Sequence, residues 1–291
     1  MRHTIENEFL KVEGDTAVGE LRGIVSKKTG KDYLWTGDPK YWEFCSPMLF
    51  PIVCSATDDT VVVDGVKYDM PKHGFVRMSE FALSEKTADS MTFELRDSAE
   101  TMKMYPFKFI MRFRYKLRGN AVINEIEIEN VDDKTIYFST GGHPALMCPF
   151  NKGEAFEDYY LEFDQSETLD TVIFDGQYLD GTKRFLVDEK QIRMDYEKVL
   201  RDTLVLNNYR SEGLSLRSKK SDNYIRMNIE GFPWVGIWTD AGKKAPFICV
   251  EPWYGIPDVK GFCGEMKDKK GIVALEAGET FSCQFTIEVF E

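Results

Sequence analysis

Hydrophobic and polar side chains alternate along much of this chain. Between residues 107 and 117 every odd position is apolar or aromatic, and most even positions are Lys or Arg. After Gly119 and Asn120 the alternation resumes between residues 122 and 129, now with Glu between apolar positions. A period of two is typical of a β-strand with one buried and one solvent-facing side. The two segments therefore predict an antiparallel hairpin whose outer faces carry opposite charges side by side.

Other segments extend this pattern to most of the chain. Residues 60–68 contain Asp64-Gly65 between apolar positions, which predicts a hairpin with a type I′ turn. Residues 281–289 alternate again, whereas the charged segment 188–201 predicts a short helix or a long loop. Many short strands with frequent turn signals indicate an all-β fold, a large antiparallel β-sandwich or barrel. Because no repeat or linker interrupts the chain, we expect a single domain over residues 1–291.

Composition narrows the partners and the location. The net charge of −12 argues against nucleic acid or an anionic membrane surface as the main partner. The six cysteines form no CxxC pair and several lie among apolar residues, so we expect free, buried thiols. The first residues lack an apolar signal segment, and no stretch approaches the ~20 apolar residues of a membrane helix. These features predict a cytoplasmic protein.

Candidate chemistry is concentrated in three strings. Only three histidines occur, and two lie beside glycine or proline: His73 in PKHGFVR and His143 in GGHPAL. A third string, FICVEPWYG, ends an apolar run with Glu251. Histidine titrates near neutrality, and a carboxylate in an apolar aromatic pocket has a raised pKa. The combination predicts an acid–base enzyme.

Each string taken alone also fits a structural role. A histidine next to glycine is commonly a hydrogen-bonded structural residue, and Glu251 could pair with an arginine. Trp238 and Trp253 are typical core residues in a chain with 13% aromatic content. No HxxxH or CxxC spacing is present, so we expect no metal site. The GxSxG, GxGxxG and P-loop motifs are absent as well.

The ordered set of strings resembles the aldose 1-epimerase (galactose mutarotase-like) family, most closely its LacX-like branch. The resemblance covers nearly the whole chain. It rests on Trp42 with SPMLFPIV at 46–53, then HGFVR, GHP, FEDYYLEF at 156–163, GIWT at 236–239 and EPWYG. Each motif is moderately specific, and their common order is highly specific.

The resemblance implies a fold, a reaction and a set of residues. The fold would be a galactose mutarotase-like β-sandwich with a sugar site in its concave face. The reaction would interconvert the α and β anomers of a hexose without metal or organic cofactor. His143 would be the general acid and Glu251 the general base. The substrate-binding residues would be His73, Arg77 and Asp202. Because the C–H faces of sugars stack on aromatic rings, Trp42 or Trp238 is a further candidate for substrate binding.

One departure from the family pattern concerns a missing arginine. Family members commonly carry an Arg shortly after the segment matched by residues 50–53, where it reaches substrate. This chain has CSAT at 54–57 and no basic residue before Lys67.

Alternative functions remain open at this point. A hexose-6-phosphate 1-epimerase would need several cations, of which Lys72 and Arg77 are the obvious ones. A non-catalytic carbohydrate-binding module would keep the aromatic residues without needing Glu251. A glycosidase would need a second carboxylate, for which Asp258 is the nearby candidate. Either a monomer or a homodimer is compatible with the sequence.

Overall fold

The computed structural model describes all 291 residues and contains antiparallel β-strands joined by loops, without an α-helix. Six single-turn 3₁₀ segments interrupt the strands: Thr57–Asp59, Val76–Met78, Thr101–Lys103, Phe156–Asp158, Ala241–Lys243 and Met266–Asp268. No helix in the chain is long and apolar enough to cross a bilayer. The strands are β1 (Arg2–Glu6), β2 (Leu10–Asp15), β3 (Glu20–Ser26), β4 (Met48–Leu49), β5 (Thr60–Val63), β6 (Val66–Asp69), β7 (Ala82–Lys86), β8 (Ser90–Arg96), β9 (Phe109–Arg118), β10 (Ala121–Asn130), β11 (Ile136–Phe138), β12 (Thr140–Gly142), β13 (Ala145–Met147), β14 (Tyr159–Asp175), β15 (Tyr178–Arg193), β16 (Leu204–Asn207), β17 (Gly213–Ser218), β18 (Tyr224–Asn228), β19 (Trp234–Trp238), β20 (Phe247–Tyr254), β21 (Val273–Leu275) and β22 (Thr280–Phe290).

One large sheet dominates the architecture. Its strands follow the order β4-β12-β20-β19-β16-β14-β17-β18-β22-β10-β9-β8-β7, with β13 also paired to β20 and β15 to β14. Three smaller sheets accompany it, β1-β2-β3, β11-β21 and β5-β6. The predicted all-β fold class built on large antiparallel sheets is confirmed.

The hairpin predicted from alternation is confirmed in detail. In β9 and β10, Arg112 lies opposite Glu127 and Arg114 opposite Glu125. The apolar positions of β9 are buried, because alternate side chains of a strand point to opposite faces of the sheet. The pattern that predicted this hairpin therefore also fixed which face is packed and which carries charge.

Two other local predictions have different outcomes. Asp64 and Gly65 both have positive φ angles, as a type I′ turn between β5 and β6 requires. The helix or loop predicted for residues 188–201 is wrong in its first half, because β15 continues to Arg193. This segment pairs with β14 despite its charge, since most side chains there are exposed and strand pairing decides its conformation.

The core holds the loop that carries His73. The ring of Phe50 lies 5.0 Å from that of Phe109 and 5.3 Å from that of Tyr105. The backbone of Phe50 in turn forms a bridge with Gly74. A Cβ at Gly74 would lie 2.0 Å from the Phe50 carbonyl oxygen, and its φ is +72°, so only glycine fits there. Aromatic packing thus determines where the residue next to Gly74 is placed.

Candidate active site

Strand register brings His143 and Glu251 together. Gly141 of β12 lies opposite Trp253 of β20, and Ala145 of β13 lies opposite Cys249. Continuing the same register through the gap between β12 and β13 places His143 opposite Glu251. Side chains of directly opposed residues in an antiparallel pair share one face of the sheet. The sequence predicted His143 just past a strand end, as observed, but Glu251 lies within β20 and not at its end.

The two side chains touch in a buried position. The Nε2 atom of His143 lies 3.1 Å from Oε2 of Glu251, and the side-chain exposures are 7% and 1%. The contact is not aligned as a hydrogen bond. Oε2 of Glu251 therefore has no hydrogen-bond partner, and Nδ1 of His143 has none either, although buried polar groups almost always have one. Such unpartnered groups are available to a ligand.

Burial shifts both groups towards their uncharged forms. Desolvation lowers the pKa of His143 to about 3, and Lys72 and Arg77 add to this lowering. Desolvation also raises the pKa of Glu251 well above its usual value, although the positive charge of Lys72 opposes the rise. Strongly shifted pKa values of two groups in contact are typical of acid–base sites.

His73 stands beside this pair with a defined tautomer. Its ring centre lies 5.3 Å from that of His143. The backbone N–H of Cys54 donates to Nδ1 of His73 at 3.1 Å, and the N–H of His73 donates to the Cys54 carbonyl oxygen at 2.7 Å. Burial and the neighbouring cationic residues keep the pKa of His73 well below its usual value. Because Nδ1 accepts a hydrogen bond, neutral His73 carries its proton on Nε2 and is a donor.

Aromatic rings form the walls of the cleft around His143. The ring of Trp42 lies 4.7 Å from that of His143, and Trp238 meets the same imidazole edge-on at 5.7 Å. Both indoles are partly exposed and line a cleft of about 280 Å³ that also contains His73, His143 and Glu251. Partly exposed aromatic faces beside polar groups suit a ligand with both C–H and hydroxyl surfaces.

Cations reach the same cleft. Lys72 and Arg77 line it, and no carboxylate lies within salt-bridge distance of either. The guanidinium of Arg77 lies 5.1 Å from the ring centre of Phe44, and its buried Nε has no hydrogen-bond partner. Burial lowers the pKa of Arg77 from its usual value. In contrast, Lys243 is already paired with Asp240 at 3.1 Å.

The structure brings together five of the six predicted site residues. His73, Arg77, His143, Trp238 and Glu251 line the cleft. Asp202 is exposed and does not line it, because its neighbour Thr203 occupies that position instead.

Several other residues of the cleft were not predicted as site residues. Trp253 belongs to the EPWYG string, whereas the others come from distant loops and carry no local motif: Tyr41, Thr203, Asp240 and Lys243. Cys54, which directly follows the segment after which the family resemblance implies an arginine, also lines the cleft, and burial raises the pKa of its thiol to about 12.

Known proteins resemble this chain in sequence and in structure over most or all of its length. The profile of the aldose 1-epimerase family matches residues 4–288. The chromosomal LacX protein of Lactococcus lactis subsp. lactis is 36% identical over 267 residues, with 87% of each chain covered. The structure of a galactose mutarotase related enzyme from Lactobacillus acidophilus superimposes with a TM-score of 0.96 at 31% identity, covering 100% of this chain and 98% of that one. A galactose mutarotase-like protein from Lactobacillus casei gives 0.93 at 29% identity, with 100% of both chains covered.

Proposed function

The chain belongs to the aldose 1-epimerase family, and we propose that it interconverts the α and β anomers of a hexose at the cleft around His143 and Glu251. The observation that carries this proposal is the buried contact between Nε2 of His143 and Oε2 of Glu251 at 3.1 Å. An acid and a base this close can act on the ring oxygen and the anomeric hydroxyl, because both oxygens are bonded to the same carbon.

The pair needs one proton for this reaction. An imidazolium with a carboxylate and an imidazole with a carboxylic acid contain the same number of protons and differ only in its position. Burial favours the uncharged arrangement before sugar enters. The sugar hydroxyls then provide hydrogen bonds to the carboxylate and allow the proton to reside on His143.

Ring opening follows from that arrangement. Glu251 accepts the proton of the anomeric hydroxyl while His143 donates its proton to the ring oxygen. The bond between C1 and the ring oxygen breaks, and C1 becomes the carbonyl carbon of the open aldose. Rotation about the C1–C2 bond exposes the other face, and the reverse transfers close the ring and restore both protons. A positioned acid and base of this kind typically accelerate a reaction by about 10²–10⁴-fold.

Other cleft residues hold the sugar in this scheme. His73 donates from Nε2 to the substrate near its ring oxygen, because Cys54 occupies Nδ1. Trp42 and Trp238 cover the C–H faces of the ring. Arg77 donates to sugar hydroxyl groups through its unpaired guanidinium. Asp202 is exposed beside Thr203 of the cleft, and its predicted contact with the sugar stays a prediction.

A hexose 6-phosphate is the second candidate substrate. Lys72 and Arg77 are cations of the cleft without a carboxylate partner, and a phosphate group would supply their counter-charge. A glycosidase would need a second carboxylate in the cleft. The candidate, Asp258, is instead buried in an ion pair with Lys269 away from the cleft. A non-catalytic module would have no use for the buried pair of His143 and Glu251.

We also propose that residues 1–291 act as one domain in the cytoplasm. The cleft combines residues from Tyr41 to Trp253, so its chemistry needs most of the chain. All six cysteines are free, which suits a reducing compartment.

Polarimetry on freshly dissolved α-anomers tests the function. The panel contains glucose, galactose and their 6-phosphates, each with and without the protein. Faster approach to equilibrium with a free hexose supports the proposal, and acceleration restricted to the phosphates selects the second candidate. Sugar binding without any acceleration would instead identify a binding module.

A further inference from the structure

A cysteine lies directly beneath the reactive pair. The Sγ of Cys249, a ring nitrogen of His143 and a carboxylate oxygen of Glu251 are within 4.8 Å of one another, and all three residues are buried. Cys249 precedes Glu251 by two positions on β20, so both side chains point to the same face of the sheet. The proposed anomerisation gives Cys249 no task, since its side chain is fully buried and does not line the cleft.

The donor set matches a borderline divalent cation. One imidazole, one thiolate and one carboxylate are ligands that Zn²⁺ accepts together, whereas Mg²⁺ and Ca²⁺ favour oxygen alone. Three protein ligands with a fourth position facing a cleft are typical of zinc sites that also bind a small molecule. Zinc bonds of about 2.0–2.3 Å would draw the three donor atoms closer by small side-chain rotations.

A second observation also indicates a ligand here. Oε2 of Glu251 has no hydrogen-bond partner, and Glu251 is only 1% exposed. A carboxylate in this position is costly unless a cation or a donor compensates it. His143 is 5% exposed and contacts Glu251 through Nε2, the atom that would bind the metal. Cation binding would therefore remove the electrostatic cost of this buried cluster.

We propose that His143, Cys249 and Glu251 form a binding site for Zn²⁺ or a similar divalent ion, and that occupation of this site reversibly inhibits the enzyme. The inhibition rests on the proposed function, because the ion takes both the acid and the base of the reaction. The binding does not depend on it.

Zinc binding changes the protonation of the ligands as follows from their chemistry. Zn²⁺ binds the neutral imidazole through the lone pair of Nε2, so His143 loses no proton there. The thiol of Cys249 and, where protonated, the carboxyl of Glu251 each release a proton to solvent. Zinc binding therefore releases at least one proton to solvent.

The test compares metal binding in matched cysteine variants of the full chain. The reference protein is Cys263→Ser, which lacks the one exposed thiol and its adventitious binding. Cys249→Ser is made in that background, and Cys148→Ser removes another buried thiol that lies outside the cluster. Zinc affinity is measured by competition with a chromophoric chelator, and cobalt is added separately to detect a thiolate charge-transfer band.

The expected results separate the site from the function. The reference protein and Cys148→Ser should bind zinc alike and show the cobalt band. Cys249→Ser should lose the band and bind zinc at least about tenfold more weakly, while its rate without metal stays unchanged. Zinc should also inhibit anomerisation in the reference protein at concentrations that leave Cys249→Ser active. Should serine destabilise the strand, Cys249→Ala serves as the second variant.

The contrary outcomes are distinct. Equal zinc affinity in the reference protein and Cys249→Ser, or no cobalt band in either, would overturn the site. A Cys249-dependent band in a protein that accelerates no sugar would preserve the site and reject the proposed function.

Discussion

Two charged clefts of the molecule differ in whether their polar groups have partners. The outer cleft, on the surface formed by β8, β9, β10 and β22, has a volume of about 400 Å³. There Arg112 contacts Glu94 at 2.8 Å, Glu127 at 2.6 Å and Glu129 at 3.1 Å. In the smaller active-site cleft, the unpaired groups include Lys72, Nε of Arg77, Nδ1 of His143 and Oε2 of Glu251.

The difference indicates which cleft awaits a ligand. Charges of the outer cleft satisfy one another across neighbouring strands, which stabilises the sheet modestly and leaves little to offer a substrate. The active-site cleft is smaller, but its buried groups remain without partners, and a bound sugar would supply them. The presence of polar groups without partners therefore identifies the functional cleft better than cleft volume does.

Removing the reactive pair should give the largest effect. His143→Asn and Glu251→Gln are each expected to lower the anomerisation rate by about 10²–10⁴-fold. The double variant should be no slower than the worse single variant, because the two groups act as one unit. Polarimetry at saturating sugar measures all three rates.

The matched control is His3→Asn, which changes the one histidine remote from the cleft and should leave the rate unaltered. Losses that simply multiply in the double variant would contradict the shared proton.

Truncating an aromatic wall should have the next largest effect. Trp238→Ala is expected to raise KM by up to about tenfold, since an aromatic contact contributes about 0.5–1.5 kcal/mol, and Trp238→Phe should restore most of the binding. Initial rates over a range of sugar concentrations give KM and kcat separately. Trp234→Phe, outside the cleft, serves as control. An unchanged KM in Trp238→Ala would remove this wall from the site.

The pH profile tests the electrostatics of the cleft. The active pair holds one proton, so the rate should fall at high pH as the raised pKa of Glu251 is passed. On the acid side it should persist towards the lowered pKa of His143 at about 3, as far as the fold survives. A fall already at the ordinary pKa of histidine would contradict the shared proton.

Lys72→Met removes a cation that lowers the pKa of Glu251, so the alkaline limb should move to higher pH. The plateau rate should change by less than about fivefold, because an exposed charge interacts weakly. Rates measured from acid to alkaline pH give both quantities, with the exposed Lys152→Met as control. A shift in the opposite direction, or the same shift in the control, would reject this role.

Breaking the outer charge network should have the smallest effect. Arg112→Met is expected to lower the free energy of unfolding by about 1 kcal/mol or less and to leave anomerisation unchanged. Urea unfolding measures the stability, and the loss should shrink at high salt because ions screen these pairs. A large loss of activity instead would mean that the outer cleft participates in function.

Periodicity predicted the fold well where burial alternates strictly. The β9–β10 hairpin and its cross-strand charges follow directly from the positions of Arg112, Arg114 and the facing glutamates. The prediction of a helix or loop from charge was wrong for residues 188–193, because their pairing with β14 is not visible in local composition.

The site was partly predictable for a similar reason. The motifs around His73, His143 and Glu251 point to these residues, but their contact depends on a register shared by β12, β13 and β20. The same register places Cys249 beside His143, a proximity that no spacing motif along the chain contains. Asp202 is not among the residues that line the cleft, whereas its neighbour Thr203 is, a difference of one position that local sequence does not reveal.

Exchange NMR at equilibrium directly measures whether His143 and Glu251 catalyse the interconversion of the anomers. Magnetisation transfer between the α and β anomeric protons of a hexose reports interconversion without any net reaction. We expect rapid transfer with the wild-type chain and transfer at the uncatalysed rate with the His143→Asn, Glu251→Gln double variant, at equal protein concentration. Transfer that is equally fast with both proteins, or absent with both across the sugar panel, would contradict this expectation.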